Sequence, residues 1–244
     1  MESLYVIKIG GNIVDNPVML TNFLTAFSKL EGQAILVHGG GKLATSLAET
    51  LGVAQTMVEG RRITDGETLK IVTMVYAGYI NKNIIAQLQA LNVNALGLSG
   101  ADANLIKAHK RVGTNIDFGF VGDIDEVNTG FIHQQLLNNT RLVIAPITHD
   151  GAGQLLNTNA DTIAQTIATA MSNTYKVHLV YGFEKEGVLA DVNNEASVIS
   201  SINNLTYTQL KKENVIFEGM IPKIDNAFLA LHGGVQSVII GKAE

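Results

Sequence analysis

Six short runs rich in β-branched and aliphatic residues set the terms for the fold: "LYVIKI" (4–9), "AILVH" (34–38), "NALGLS" (94–99), "RLVIAPI" (141–147), "KVHLVYG" (176–182) and "VQSVIIG" (235–241). Most are apolar at successive positions, so both faces of each strand need cover, which is the mark of parallel strands packed between helices. Helical patterns fall between the runs, near 17–30, 41–51, 64–91, 130–138, 159–171, 205–213 and 222–232. This alternation predicts an α/β protein, a three-layer αβα sandwich around a central, mainly parallel sheet. One stretch differs. "LIKAHKRVGTNIDFGFVGDIDEVN" (105–128), punctuated by Gly, Asn and Asp, reads as antiparallel hairpin material.

The chain has 244 residues, 46% of them hydrophobic, enough for a large core in one domain or two fused lobes. "MSNTY" (171–175) is the expected waist, separating an N-terminal lobe (1–172) from a smaller C-terminal lobe (173–244). A net charge of −5, with no Lys/Arg run interleaved with aromatics, argues against a non-specific nucleic-acid binder. The absence of cysteine excludes disulfides, thiolate metal sites and a Cys nucleophile, and fits a reducing cytoplasm. The start, "MESLYVIKIGG", is too short in its apolar run for a signal peptide, and no stretch is long enough to span a bilayer. A soluble, cytoplasmic protein is expected.

The pattern over 64–91 opens with Thr64 and Glu67 at capping-box spacing. Its apolar residues cover more than one face, so the helix is either buried within the fold or set against a second subunit.

Two glycine clusters directly follow predicted strands. "IKIGGN" carries Lys8 ahead of Gly10 and Gly11, and "LVHGGGK" leads into a helix through Gly39, Gly40 and Gly41. Such turns let the backbone approach an anion near a helix N-terminus, although neither matches a P-loop or a dinucleotide fingerprint. In "VEGRRIT", two arginines precede the helix; they are solvated surface residues, or one of them is a bidentate clamp for a carboxylate. Lys8, in the middle of an apolar strand, needs an anionic partner. Lys223 follows Pro222 in the first turn of a helix, where a cation opposes the helix dipole unless an anion is near. The stretch "LLNTNAD" places Asn157, Asn159 and Asp161 at the mouth of another helix. One cap would satisfy that helix, so the others cap redundantly or face a site. Asp161 is the expected organiser of Lys8 and Lys223, and the two lysines together would neutralise a transferring phosphoryl group. No Ser-His-Asp pattern and no metal-binding His spacing is present. A carboxylate nucleophile, with a pKa of ~4.3 for a glutamate-type acid, needs no base, and phosphoryl transfer rests mainly on positioning and charge.

"IKIGGN", "LVHGGGK", "EGRRIT", "GQLLNTNAD" and "GMIPKI", in this order across nearly the whole chain, resemble the amino acid kinase family. "GRRIT" with "LLNTNAD" is most similar to the branch that acts on N-acylated glutamate. The resemblance implies an eight-stranded, mainly parallel sheet, an acyl amino acid held in the N-terminal lobe, and ATP with Mg²⁺ in the C-terminal lobe. It implies phosphorylation of the γ-carboxylate of N-acetyl-L-glutamate in arginine biosynthesis. N-succinylglutamate or another amino acid substrate remains the alternative, and a non-catalytic ligand sensor is the competitor from a different class. By the same likeness Lys8 and Lys223 would stabilise the transition state and Asp161 would orient them. Gly40, Gly41, Arg62 and Asn157 would hold the acyl amino acid. Gly10, Gly11, Gly182, Gly187, Gly219 and Met220 would contact the nucleotide, and no protein metal ligand is expected. Relatives usually carry an Asp-Val-x-Gly-Val-Leu type sequence where this chain reads "YGFEKEGVL", and Glu218 stands where a second glycine is common. Arginine-inhibited relatives carry an additional N-terminal helix, so a homodimer through the 64–91 helix, insensitive to arginine, is expected here.

Overall fold

A computed structural model describes residues 1–58, 61–113, 115–191, 193–216 and 220–243. The chain runs through β1 (Ser3–Ile9), α1 (Gly11–Val14), α2 (Pro17–Ser28), β2 (Gln33–His38) and α3 (Gly41–Thr50), then a small ribbon of β3 (Met57–Val58) and β4 (Arg61–Arg62). Next come α4 (Gly66–Thr73), a π-helical segment (Met74–Ile80) and α5 (Asn81–Ala90), followed by β5 (Ala95–Leu98), β6 (Ile106–Lys110) and β7 (Gly122–Val127). The remainder comprises α6 (Thr129–Leu137), β8 (Arg141–Ile144), β9 (Ile147–His149), β10 (Leu155–Asn157), α7 (Ala160–Met171), β11 (Lys176–Phe183), α8 (Asn204–Lys212), α9 (Met220–His232) and β12 (Ser237–Lys242).

The central sheet has the order β12-β11-β1-β2-β8-β5, and every neighbouring pair in it is parallel. Successive side chains of β1 point to opposite faces. Ile9 joins the core formed with α2, α3 and the helix after α4, while Leu4 and Val6 join the core formed with α7 and α9. The three-layer, mainly parallel arrangement is the expected one. The central sheet holds six strands among the described residues rather than eight, one from each of the six runs, and the run 141–147 only partly stays in it. The backbone turns at Ala145 and Pro146, and β9 leaves to join a four-stranded sheet of order β10-β9-β6-β7. The 105–128 stretch forms the β6–β7 antiparallel pair of that sheet.

The stretch 171–175, where a waist is expected, leads from the end of α7 into β11, and the central sheet includes strands from both sides of it, since β1 pairs with β11 from Ser3 to Ile9. Beyond the turn, a separate small core gathers Val188, Tyr207, Leu210, Ile216 and Ile224.

The 64–91 helix begins one residue later than its capping pattern predicts. Asp65, not Thr64, is the N-cap, and its carboxylate accepts from the amide of Thr68 at 2.7 Å. Thr64 is drawn into the core, where its main chain pairs with Gly119 and Phe120. The helix is continuous to Ala90, with the wider π turn in its middle.

Candidate active site

Lys8 shares a face of β1 with Leu4 and Val6, which directs it toward α7 and α9 at the carboxyl end of the sheet. Ligands of open α/β sheets bind in that region. The first turn of α7 brings Asp161 to the same point. Asn159 caps this helix by accepting from the amides of Asp161 (2.8 Å) and Thr162 (3.1 Å), so its role is to seat the turn. The first turn of α9 supplies Lys223. Lys8 Nζ lies 2.8 Å from Asp161 Oδ1, and Lys223 Nζ lies 2.9 Å from Asp161 Oδ2.

Lys8 and Asp161 are 7% and 8% exposed, and charges so far from water persist only when paired. Burial pushes the Asp161 carboxyl up, but the two ammonium groups outweigh it and hold the carboxyl below its ordinary value. Burial lowers the Lys8 ammonium, which Asp161 counteracts and Lys223 reinforces. The buried Tyr181 hydroxyl donates to the main-chain oxygen of Asp161 at 3.2 Å, and burial with the nearby carboxylate pushes its pKa up.

The two glycine turns lie side by side. The Gly39 amide donates to the Ile9 oxygen at 2.9 Å, and a Cβ on Gly39 would stand 3.5 Å from the Gly11 nitrogen. Gly10 caps α1. Gly40, the N-cap of α3, has φ +150°, and a Cβ there would fall 2.2 Å from Ile80 Cδ1. Only glycine fits. No side chain caps α3, so its first amides stay open toward the cavity.

Arg62, on β4, is buried beside these amides. Its Nη2 donates to the Gly41 oxygen (2.9 Å) and to Thr45 Oγ1 (2.8 Å), and its Nη1 donates to Gln55 Oε1. All three acceptors are neutral, and among the described residues no carboxylate pairs with Arg62. Its charge therefore faces the cavity unbalanced. Asn157 ends β10 and donates from Nδ2 to Thr64 Oγ1 at 3.0 Å.

Of the residues the sequence singles out, Gly11, Gly40, Gly41, Arg62 and Asn157 meet Lys8 and Asp161 around one cavity of about 240 Å³. Lys223 is tied to it through Asp161, and Met220 begins the turn of α9 that carries Lys223. Gly182 and Gly187 stand outside the cavity, and both are held by packing. A Cβ on Gly182 would come 3.1 Å from Ala243 Cβ, and one on Gly187 2.9 Å from Val198 Cγ1. Gly219 lies outside the described residues.

Arg61, the other arginine of the motif, also lines the cavity, and sequence reasoning missed two further contributors to its wall, Tyr76 and Arg111. Arg111 comes from the hairpin, where its guanidinium holds both oxygens of Asp123 and keeps that carboxyl below its usual range. Tyr76 comes from the π segment, with its hydroxyl beside Arg62.

The cavity thus gathers the cationic side chains of Lys8, Arg61, Arg62 and Arg111 with the glycine turn that opens α3, a lining suited to anions. The chain belongs to the amino acid kinase family, whose pattern it matches over residues 3–242. Within that family it is similar to proteins named acetylglutamate kinase. One from Cytophaga hutchinsonii is 55% identical, covering 100% of this chain and 93% of the relative. Another from Bacteroides fragilis is 52% identical over 98% of this chain and 92% of the relative. Among solved structures, that of smu.665 from Streptococcus mutans UA159 superposes with a TM-score of 0.81 at 27% identity, covering 98% of this chain and 94% of that one.

Proposed function

We propose that this chain is an enzyme that phosphorylates the γ-carboxylate of N-acetyl-L-glutamate with ATP, releasing ADP and N-acetylglutamyl 5-phosphate. A γ-carboxylate oxygen forms the new bond to the terminal phosphorus as the bridging bond to ADP breaks, and no proton moves. The observation that carries this reading is the convergence of Lys8 and Lys223, from opposite ends of the chain, on the two oxygens of Asp161. Two ammonium groups on one carboxylate leave a surplus positive charge to screen the transferring group. Asp161 holds both ammonium groups in place, so little reorganisation is needed as charge develops.

Arg62 and Asn157 hold the α-carboxylate side of the substrate, and the amides of Gly40 and Gly41 hold the reacting end. The nucleotide-contacting residues of this reading are Gly10, Gly11, Gly182, Gly187, Gly219 and Met220. The chain supplies no ready metal cage, since among the described residues no three His, Asp or Glu side chains cluster to hold an ion. Mg²⁺ fits as a companion of the nucleotide, whose phosphate oxygens are the hard ligands it prefers. When bound, it adds charge neutralisation to that of the lysines.

In the same reading, residues 1–172 bind the acyl amino acid and 173–244 bind ATP. Two copies associate through the 64–91 helix, and the reaction serves arginine biosynthesis in the cytoplasm. No helix among the described residues is long and apolar enough to cross a membrane. An ADP-release assay with N-acetyl-, N-succinyl- and unacylated glutamate tests the substrate, with turnover of the acetylated compound expected. Silence with all three would remove the assignment.

A further inference from the structure

His38 is completely buried at the end of β2, directly behind the second glycine turn. Its Nδ1 lies 2.9 Å from the main-chain oxygen of Gly39, and its Nε2 lies 3.3 Å from the side-chain nitrogen of Asn81, the first residue of α5. The orientation of the Asn81 amide follows from its other neighbours. Its nitrogen lies 3.0 Å from the carbonyl oxygen of Val143, which can only accept. Its oxygen lies 3.1 Å from Lys82 Nζ, which as an ammonium can only donate. Asn81 therefore donates to His38, and Nε2 is the bare, accepting nitrogen. The single ring proton then sits on Nδ1 and is donated to the Gly39 carbonyl.

That hydrogen bond has a consequence for the cavity. In a trans peptide the carbonyl and the following N–H point in opposite directions, and this chain has no cis peptide among its described residues. Drawing the Gly39 carbonyl back toward His38 turns the Gly40 amide forward. The same helix braces the turn from the side, since a Cβ on Gly40 would meet Tyr76 Cδ1 at 3.4 Å as well as Ile80. Asn81 is itself walled in: a Cβ on Gly97 would fall 2.1 Å from its Oδ1.

We infer that His38 is a positioning residue: held by Asn81 as the Nδ1–H tautomer, it fixes the Gly39 carbonyl and so aims the Gly40 amide at the carboxylate that is phosphorylated. The inference rests on the reaction proposed above for its purpose, but not for its geometry.

Long-range ¹⁵N NMR of the full chain at neutral pH, without substrate, reads the geometry directly. The expected spectrum shows a neutral His38 ring protonated at Nδ1, and a ring protonated at Nε2 overturns the inference. A second arm uses turnover of N-acetylglutamate. His38→Asn keeps an N–H donor close to the Nδ1 position, whereas His38→Leu keeps the bulk and removes the donor. Loss of aim costs on the order of 10²-fold in kcat for His38→Leu, with KM for ATP unchanged and most of the loss recovered in His38→Asn. Equal losses in the two variants, or a loss confined to KM for ATP, overturn the inference. The spectrum of the unsubstituted chain decides the matter even where His38→Leu fails to fold. A wild-type chain silent in the assay would count against the reaction and leave the tautomer to be judged on its own.

Discussion

Asp161 is the residue on which the site turns, because it is buried and shared. Removing it would strand two ammonium groups, a situation that costs roughly 3–5 kcal/mol for a buried ion pair. The lysines and Arg62 are separable from it by kinetics. Lys223 touches the carboxylate but is the more accessible lysine, with 17% of its side chain exposed against 9% for Lys8. Lys223→Ala is expected to lower kcat by roughly 10²–10³-fold, as for other preorganised charge donors. Arg62→Ala is expected mainly to raise KM for the acyl amino acid. Steady-state kinetics showing the opposite split would exchange their roles. His38 adds a stability signature. Burial lowers its pKa to about 4 from an ordinary 6.5, and Lys82 adds to the effect. The folded chain therefore binds fewer protons than the unfolded one between those values. Stability is fully present above pH 6.5 and declines as pH falls toward 4, by roughly 3 kcal/mol in all. Urea unfolding across this window should show a slope that flattens in His38→Asn, and an unchanged slope would contradict the assignment.

At the scale of elements, the site depends on where helices begin. α3, α7 and α9 each open at the cavity or at the ion cluster beside it, and each start has a different device: a glycine N-cap for α3, an asparagine cap for α7, and a proline in the first turn for α9. Gly40 is the least replaceable of these residues. Gly40→Ala meets both a left-handed backbone and the Ile80 side chain, so thermal unfolding should drop and activity should vanish. Pairing it with Ile80→Ala should restore part of the melting temperature, because the clash is relieved, but not the activity, because the backbone strain remains. Full recovery of both would show that packing alone fixes the turn. Much of this was legible in the residues. The six β-branched runs and seven helical patterns each lie where an element forms, because long periodic segments carry their own signal. The strands β9 and β10, three residues each, are too short to display a period. The π segment keeps the same apolar spacing as an ordinary helix, so nothing distinguishes it beforehand. Arg111 and Tyr76 reach the cavity only through tertiary packing, which no local pattern records. The lysine–aspartate cluster was legible for the opposite reason: a charge inside an apolar strand has to be explained by something elsewhere in the chain.

For the whole molecule, the exposed apolar side chains on the 64–91 helix bear on assembly. Met74 is 54% exposed and Tyr79 64%, beside a stripe that is otherwise buried. If this face joins two copies, light scattering should give the mass of a dimer, and Met74→Glu with Tyr79→Glu should give monomers. A monomeric wild type, or a double variant that remains dimeric, would place the contact elsewhere. The topology carries a further implication. β1 precedes every other described strand, yet it sits between β2 and β11, and the carboxylate that neutralises its lysine, Asp161, is made about 150 positions later. During synthesis, then, the nascent strand carries an unmatched charge until α7 has emerged, and one unsatisfied edge until β11 has followed it. The burial of this strand and the neutralising of its lysine thus wait on the same stretch of chain, so a product truncated before α7 would be both unstable and inert.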